Sequence, residues 1–199
     1  MVGASRSADP DEEHSSIFYD ADRFEELESG QYWLSETPSQ VGSRAWDAAF
    51  PRIVVWARLR DRATGRVLLH ANSHFDHASE LARVRSAALV AERLRVVSQE
   101  DDAVLFTGDT NAAAETSAAY RAATEGGGLR DAWLVAESQL TPAIGTFLDY
   151  RDPVPAGDRI DWILVGGHVR VHSAAINPAA DGGAYPSDHA AVHAVVTVG

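Results

Sequence analysis

The sequence predicts a single α/β domain built mainly from short β-strands, and three observations carry that prediction. Its 199 residues are 45% hydrophobic, which suffices for one core of ordinary size and demands no second domain. Strand-like runs recur along the chain, and Ser79 to Val97 carries the clearest helical period. Three of the strands run out into acids, amides and histidines, which gathers polar chemistry at a sheet edge.

Taken in order, Ser16 to Tyr19 and Gly30 to Leu34 read as short strands, and the Pro-, Gly- and Ser-rich stretch from Ser35 to Trp46 reads as a loop. Ile53 to Arg60 and Val67 to Ser73 have strand composition. Asp61 to Gly65 between them is a turn of hairpin length, so the two are expected to pair antiparallel. Ser79 to Val97 is expected to be a helix that buries Leu81, Val84, Ala88, Ala91 and Leu94 and turns Arg83, Arg85, Glu92, Arg93 and Arg95 mostly to the other side. Ser79 suits its N-cap and Glu80 its first turn. Ala103 to Thr107 reads as a buried strand, followed by a short helix near Ser117 to Glu125 that stops at Gly126. Ile160 to Val165, Val169 to Ile176 and Ala190 to Val198 complete the set, with Gly166-Gly167 as a tight turn between the first two.

Composition excludes some chemistry. The chain has no cysteine, so disulfides, zinc-thiolate sites and thiol catalysis are ruled out, and a metal must be held by oxygen and imidazole, which favours magnesium or manganese. No uncharged run approaches the ~20 residues of a membrane span, and Asp9, Asp11, Glu12 and Glu13 make the start too acidic for a signal peptide, so a cytoplasmic protein is expected. The formal charge of −12, without a basic cluster, disfavours tight binding to a polyphosphate backbone. A bound cation would still gather a small phosphoester against that field.

Four short motifs hold the candidate site. Gly108-Asp109-Thr110-Asn111 places a carboxylate and an amide at the end of a buried strand, where they could orient a water and donate to a phosphoryl oxygen, or simply cap the following helix. Asn72-Ser73-His74-Phe75-Asp76-His77 delivers two imidazoles and an acid just past another strand; His74 could equally be a core histidine, and the His-x-Asp-His spacing a metal clasp. Ser187-Asp188-His189 supplies a third acid-imidazole pair. Asp161, in Arg159-Ile160-Asp161-Trp162-Ile163, could orient a histidine or form a surface salt bridge to Arg159 or Arg170. His14, His70, His168, His172 and His193 lack such partners and read as structural or solvated.

These four motifs, in this order, resemble those of the endonuclease/exonuclease/phosphatase superfamily typified by deoxyribonuclease I and exonuclease III. Phe18-Tyr19, Tyr32-Trp33-Leu34-Ser35-Glu36-Thr37-Pro38 and Trp46-Asp47 look like its bacterial branch, and the resemblance runs from about Ile17 to Val198. It implies a four-layer α/β/β/α sandwich of two packed, mostly antiparallel sheets and a magnesium-dependent phosphoester hydrolase. By position it implies that Asp188, with Asp109, holds the metal; that His189 contacts the phosphate with Asp161 behind it; that Asp109 activates the water; and that Asn111 and His74 donate to the phosphate oxygens or leaving group. Asp76 and His77 would support the loop around His74, and Ser73 stands where the motif has Thr.

The departure from the pattern is at the front, where the family carries an Asn-bearing strand and a strand ending in Gln-Glu. Neither Glu12 nor Glu13 sits in such a strand, so the fold is expected to be N-terminally incomplete across residues 1–199. Two outcomes follow from that expectation: a hydrolase with a reduced metal site, or a remnant acting as a phosphate-binding or scaffold protein. An exposed sheet edge would also favour self-association.

Overall fold

In a computed structural model that describes residues 1–199, two β-sheets pack face to face, with helices on the outer face of the larger. The larger sheet runs β1 (Phe24–Trp33), β2 (Ile53–Asp61), β3 (Val67–His74), β4 (Ala103–Asp109), β7 (Asp161–Gly166), β5 (Arg130–Asp131). The smaller runs β6 (Ser138–Gln139), β8 (Val169–Asn177), β9 (Ala191–Val198). All neighbours are antiparallel except β3–β4 and β6–β8. The parallel β3–β4 step is made by α1 (Glu80–Val97), a crossover helix long enough to return the chain to the same end of the sheet.

Strand β2 explains why the larger sheet sits in the middle. Alternation sends Val54 toward the helices and Ile53, Val55, Ala57 and Leu59 toward the opposite face, and all five are buried. On the helix side, α1 and α2 (Ala118–Thr124) cover Leu69, Ala71, Phe106, Trp162 and Leu164. Between the sheets, Ala103 and Val165 meet Val169 and Val171. The smaller sheet has no helical layer outside it, so Val195 of β9 is 58% exposed. The α3 helix (Ala132–Val135) packs at the seam through Trp133.

The β2–β3 hairpin, α1, α2, β4, β7, β8 and β9 fall where the sequence puts them, within one or two residues. Four expectations need correction. Strand β1 begins at Phe24 rather than Gly30, because pairing with β2, including the Glu25–Arg60 contact at 3.2 Å, outweighs the poor strand propensity of its glutamates. Ser16 to Tyr19 makes a single bridge, Val2 to Ile17, and no strand. Helix α1 is rotated, burying Ala82, Ser86, Ala87, Val90, Ala91 and Leu94 and leaving Leu81 50% exposed, since small residues let the helix lie close on the sheet. Gly166-Gly167 joins strands of different sheets, not a hairpin. The short β5, α3 and β6 carry no periodic signal and were not expected.

Candidate active site

Register assembles the site. On β3, β4 and β7, His74 pairs with Asp109 and Asp109 with Asp161, so three functional side chains stand abreast at one end of the larger sheet. The close approach of β3 and β4 there depends on Gly108, where a Cβ would lie 2.0 Å from the Ser73 carbonyl oxygen. The chain turns sharply after Asp109: Asn111 is left-handed, φ 49°, and its N–H donates to Asp109 Oδ1 at 2.9 Å. That turn folds Asn111 back over β3, where its amide donates to the Phe75 carbonyl at 3.1 Å and lies 3.0 Å from His74 Nε2.

His189 comes from the other sheet. The segment before β9 bridges to Phe147, and Leu148 and Asp149 N–H groups both donate to the Asp188 carbonyl, at 2.7 and 3.0 Å. His189 Nδ1 then meets Asp161 Oδ2 at 2.8 Å, while Nε2 lies 3.7 Å from Asp109 Oδ2. The hydrogen bond from Nδ1–H fixes the imidazole and leaves Nε2 facing the site. It also raises the His189 pKa above its ordinary value, against the opposing effect of burial and with help from the charges of Asp161, Asp109 and Asp188. The alternative partners of Asp161 are engaged elsewhere: Arg159 with Asp131 at 2.8 Å and Glu115 at 3.1 Å, and Arg170 with Glu137.

Asp109 is the electrostatic centre. Burial raises its carboxyl pKa above the usual range, Asp161 adds to the rise, and the Asn111 N–H, His74 and His189 oppose it. His74 Nε2 reaches Asp109 Oδ2 at 3.3 Å and His74 Nδ1 meets Glu13 Oε1 at 2.6 Å. With Glu13 accepting from Nδ1–H, a neutral His74 accepts from Asn111 and a protonated one donates to Asp109. Burial pushes Glu13 up, but the His74 hydrogen bond and the charges of His74, Arg52 and Arg6 outweigh it and hold its carboxyl below the ordinary value.

Glu13 is the residue that sequence reasoning missed. It lies 61 positions before His74, outside any strand or motif, and reaches the site because Arg6 and Arg52 grip it at 2.9 and 3.1 Å. Asp76 does support the loop as expected: its buried carboxylate accepts from Ala78, Ser79, Ala49 and Phe50, pinning the loop from Ser35 to the start of α1. His70 is structural; it meets Thr107 Oγ1 at 2.9 Å, and burial lowers its pKa to about 4.

Ligand atoms of Asp109, Asp161 and His189 all lie within 4.8 Å of one another, while Asp188 falls outside that group. These donors fit a hard cation in kind, being carboxylate and imidazole, and the raised Asp109 carboxyl marks charge that a cation would compensate. Asp161, however, is already committed to His189.

The sequence profile described as the Endonuclease/Exonuclease/phosphatase family matches residues 21–189. The chain belongs to that family. Among solved structures, the endonuclease/exonuclease/phosphatase from Bacteroides vulgatus is 35% identical, with a TM-score of 0.90 over 100% of this chain and 76% of its own. A mannosyl-6-phosphatase from Bacteroides thetaiotaomicron VPI-5482 is 31% identical, with a TM-score of 0.86 over 98% of this chain and 76% of its own. TDP2 from D. rerio, solved with a single-strand DNA product, shares the fold at 20% identity and a TM-score of 0.64, over 89% of this chain and 70% of its own. No curated protein matches. No helix is long and apolar enough to cross a membrane.

Proposed function

We propose that this endonuclease/exonuclease/phosphatase family chain hydrolyses phosphoesters by metal-assisted attack of water at phosphorus. The observation that carries this reading is the convergence of His189–Asp161 from one side and His74–Asn111 from the other on Asp109. Magnesium or manganese, with Asp109 among its ligands, would supply charge neutralisation at the phosphoryl group. Asp109 accepts the proton of the attacking water, and as the P–O bond to the leaving group breaks, imidazolium at His189, stabilised by Asp161, gives its Nε2 proton to the leaving oxygen, which departs as the alcohol. Asn111 and His74 offer further donors to the oxygens that gain charge. The identity to a mannosyl-6-phosphatase and the charge of −12 both favour a small phosphomonoester over a polynucleotide.

Turnover of p-nitrophenyl phosphate and bis(p-nitrophenyl) phosphate with magnesium or manganese tests this. Activity is expected to vanish with chelator and to fall by about 10²-fold or more in His189→Ala and Asp109→Ala, with thermal midpoints little changed. Absence of metal-dependent turnover, with phosphate binding retained in calorimetry, would instead favour the phosphate-binding or scaffold reading.

A further inference from the structure

The two halves of the acid–imidazole pair belong to different sheets: Asp161 opens β7 of the larger one, and His189 lies two residues before β9 of the smaller. No main-chain hydrogen bond joins residues 158–163 directly to residues 187–191. The 2.8 Å contact between their side chains therefore has to be set by something that touches both segments, and Thr146 does so. Its hydroxyl oxygen accepts from the Ile160 and Asp161 N–H groups at 2.9 and 3.1 Å, which takes both lone pairs. Its carbonyl accepts from Ala190 N–H at 2.8 Å, and its own N–H donates to the Asp158 carbonyl at 3.0 Å. One residue thus holds the start of β7 with its side chain and the residue after His189 with its main chain.

This link is itself fixed. Gly145 N–H donates to the Val154 carbonyl at 2.9 Å and Ala156 N–H to that of Ala143 at 2.9 Å, so the loop that carries Thr146 closes on its own base. A Cβ on Gly157 would lie 3.0 Å from Gly145, so the two arms of that loop touch there. Ile144 and Leu148, on either side of Thr146, are buried with Trp133 and Ile176, and Thr146 is fully buried. Its γ-methyl restricts the side chain to few rotamers, which keeps the hydroxyl on the two N–H groups. Solvent does not reach this point to replace a lost acceptor, and a buried N–H without a partner is costly, so without the hydroxyl the start of β7 shifts toward another acceptor. The Asp161 carboxylate moves with it, and displacements well under 1 Å are enough to weaken an acid–imidazole contact.

We propose that Thr146 is a positioning residue of the active site, setting the reach of Asp161 to His189 by tying both main chains to one side chain and one carbonyl. This rests on the hydrolase reading above and adds a residue to it; Thr146, being buried, acts only through that pair. Thr146→Val keeps the shape and removes the acceptor, and Thr146→Ser keeps the acceptor. With bis(p-nitrophenyl) phosphate and magnesium, Thr146→Val is expected to lower kcat about tenfold with KM little changed, and Thr146→Ser to recover most of that loss. In a His189→Ala background the Val substitution is expected to cost nothing further, since the pair it serves is gone. The downfield Nδ1–H proton resonance of His189, identified by its loss in His189→Gln, reads the contact without turnover. It is expected to persist in Thr146→Ser and to broaden or move upfield in Thr146→Val. Where the Val variant does not fold, Thr146→Cys, whose thiol is of similar size and accepts weakly, is expected to show the same coupled loss and shift at smaller magnitude. An unchanged kcat or an unchanged resonance in a folded Val or Cys variant, or the same loss repeated in the His189→Ala background, overturns the positioning role and leaves the hydrolase reading standing. A wild-type chain that turns over no phosphoester removes the hydrolase reading, and the resonance alone then decides for or against Thr146.

Discussion

Replacing Asp161 by Asn tests the electrostatic design of the site directly. The side chain keeps its shape, but the carboxylate that accepts from His189 Nδ1 at 2.8 Å loses its charge. At that separation two unit charges attract by about 6 kcal/mol for an effective dielectric of about 20. Both groups retain partial solvent access, 23% for His189 and 15% for Asp161, and charge-assisted hydrogen bonds contribute about 1.5–3 kcal/mol net. At 1.36 kcal/mol per unit, the His189 pKa is therefore expected to fall by about one to two units in Asp161→Asn. Histidine-selective NMR titration of both proteins, with His189→Gln to assign the resonance, measures this. The sign for stability follows: because the folded pKa is raised, the pair stabilises the fold fully below the ordinary histidine value of 6.5, and this contribution is lost as pH rises through the folded value. Asp161→Asn should flatten that dependence. An unshifted His189 titration would refute the account of Asp161 as its charge partner.

Two further outcomes follow from the same geometry. Gly108→Ala places a methyl 2.0 Å from a backbone oxygen on the paired strand, so a loss of about 3 kcal/mol is expected in urea denaturation; an unchanged midpoint would show that β3 and β4 can part freely. Glu13→Gln removes the anion shared by His74, Arg6 and the 5%-exposed Arg52, and is expected to lower kcat about tenfold and stability by about 1–3 kcal/mol, checked by steady-state kinetics and thermal unfolding. Equal rates in that variant would confine Glu13 to a structural role.

Much of this was legible in the chain because it is local. Alternation along Ile53 to Arg60 fixes which residues face the helices and which face the N-terminal segment through Val2 and Ile17, and Ser79 and Ser117 mark both longer helices through their caps. His74, Asp109, Asn111, Asp161 and His189 were recognisable because each lies at or within two residues of a strand end, inside a short motif. What was hidden depends on partners distant in sequence. The acidic first half of β1, Phe24 to Ser29, is held by β2 and gives no signal of its own. The face of α1 was misjudged because its alanines are spread around the helix, and only the sheet selects which pack.

The sequence by itself determined the family, the residue types of the site and the ends of the strands that carry them, because motifs and alternation are properties of neighbouring residues. Only the tertiary structure decided that His74, Asp109 and Asp161 stand abreast, that Glu13 joins them across 61 residues, and that Phe147 lies exposed against His189. Those relations are set by strand register and by the packing of two sheets. A shift of one residue in either would turn the same side chains to the opposite face.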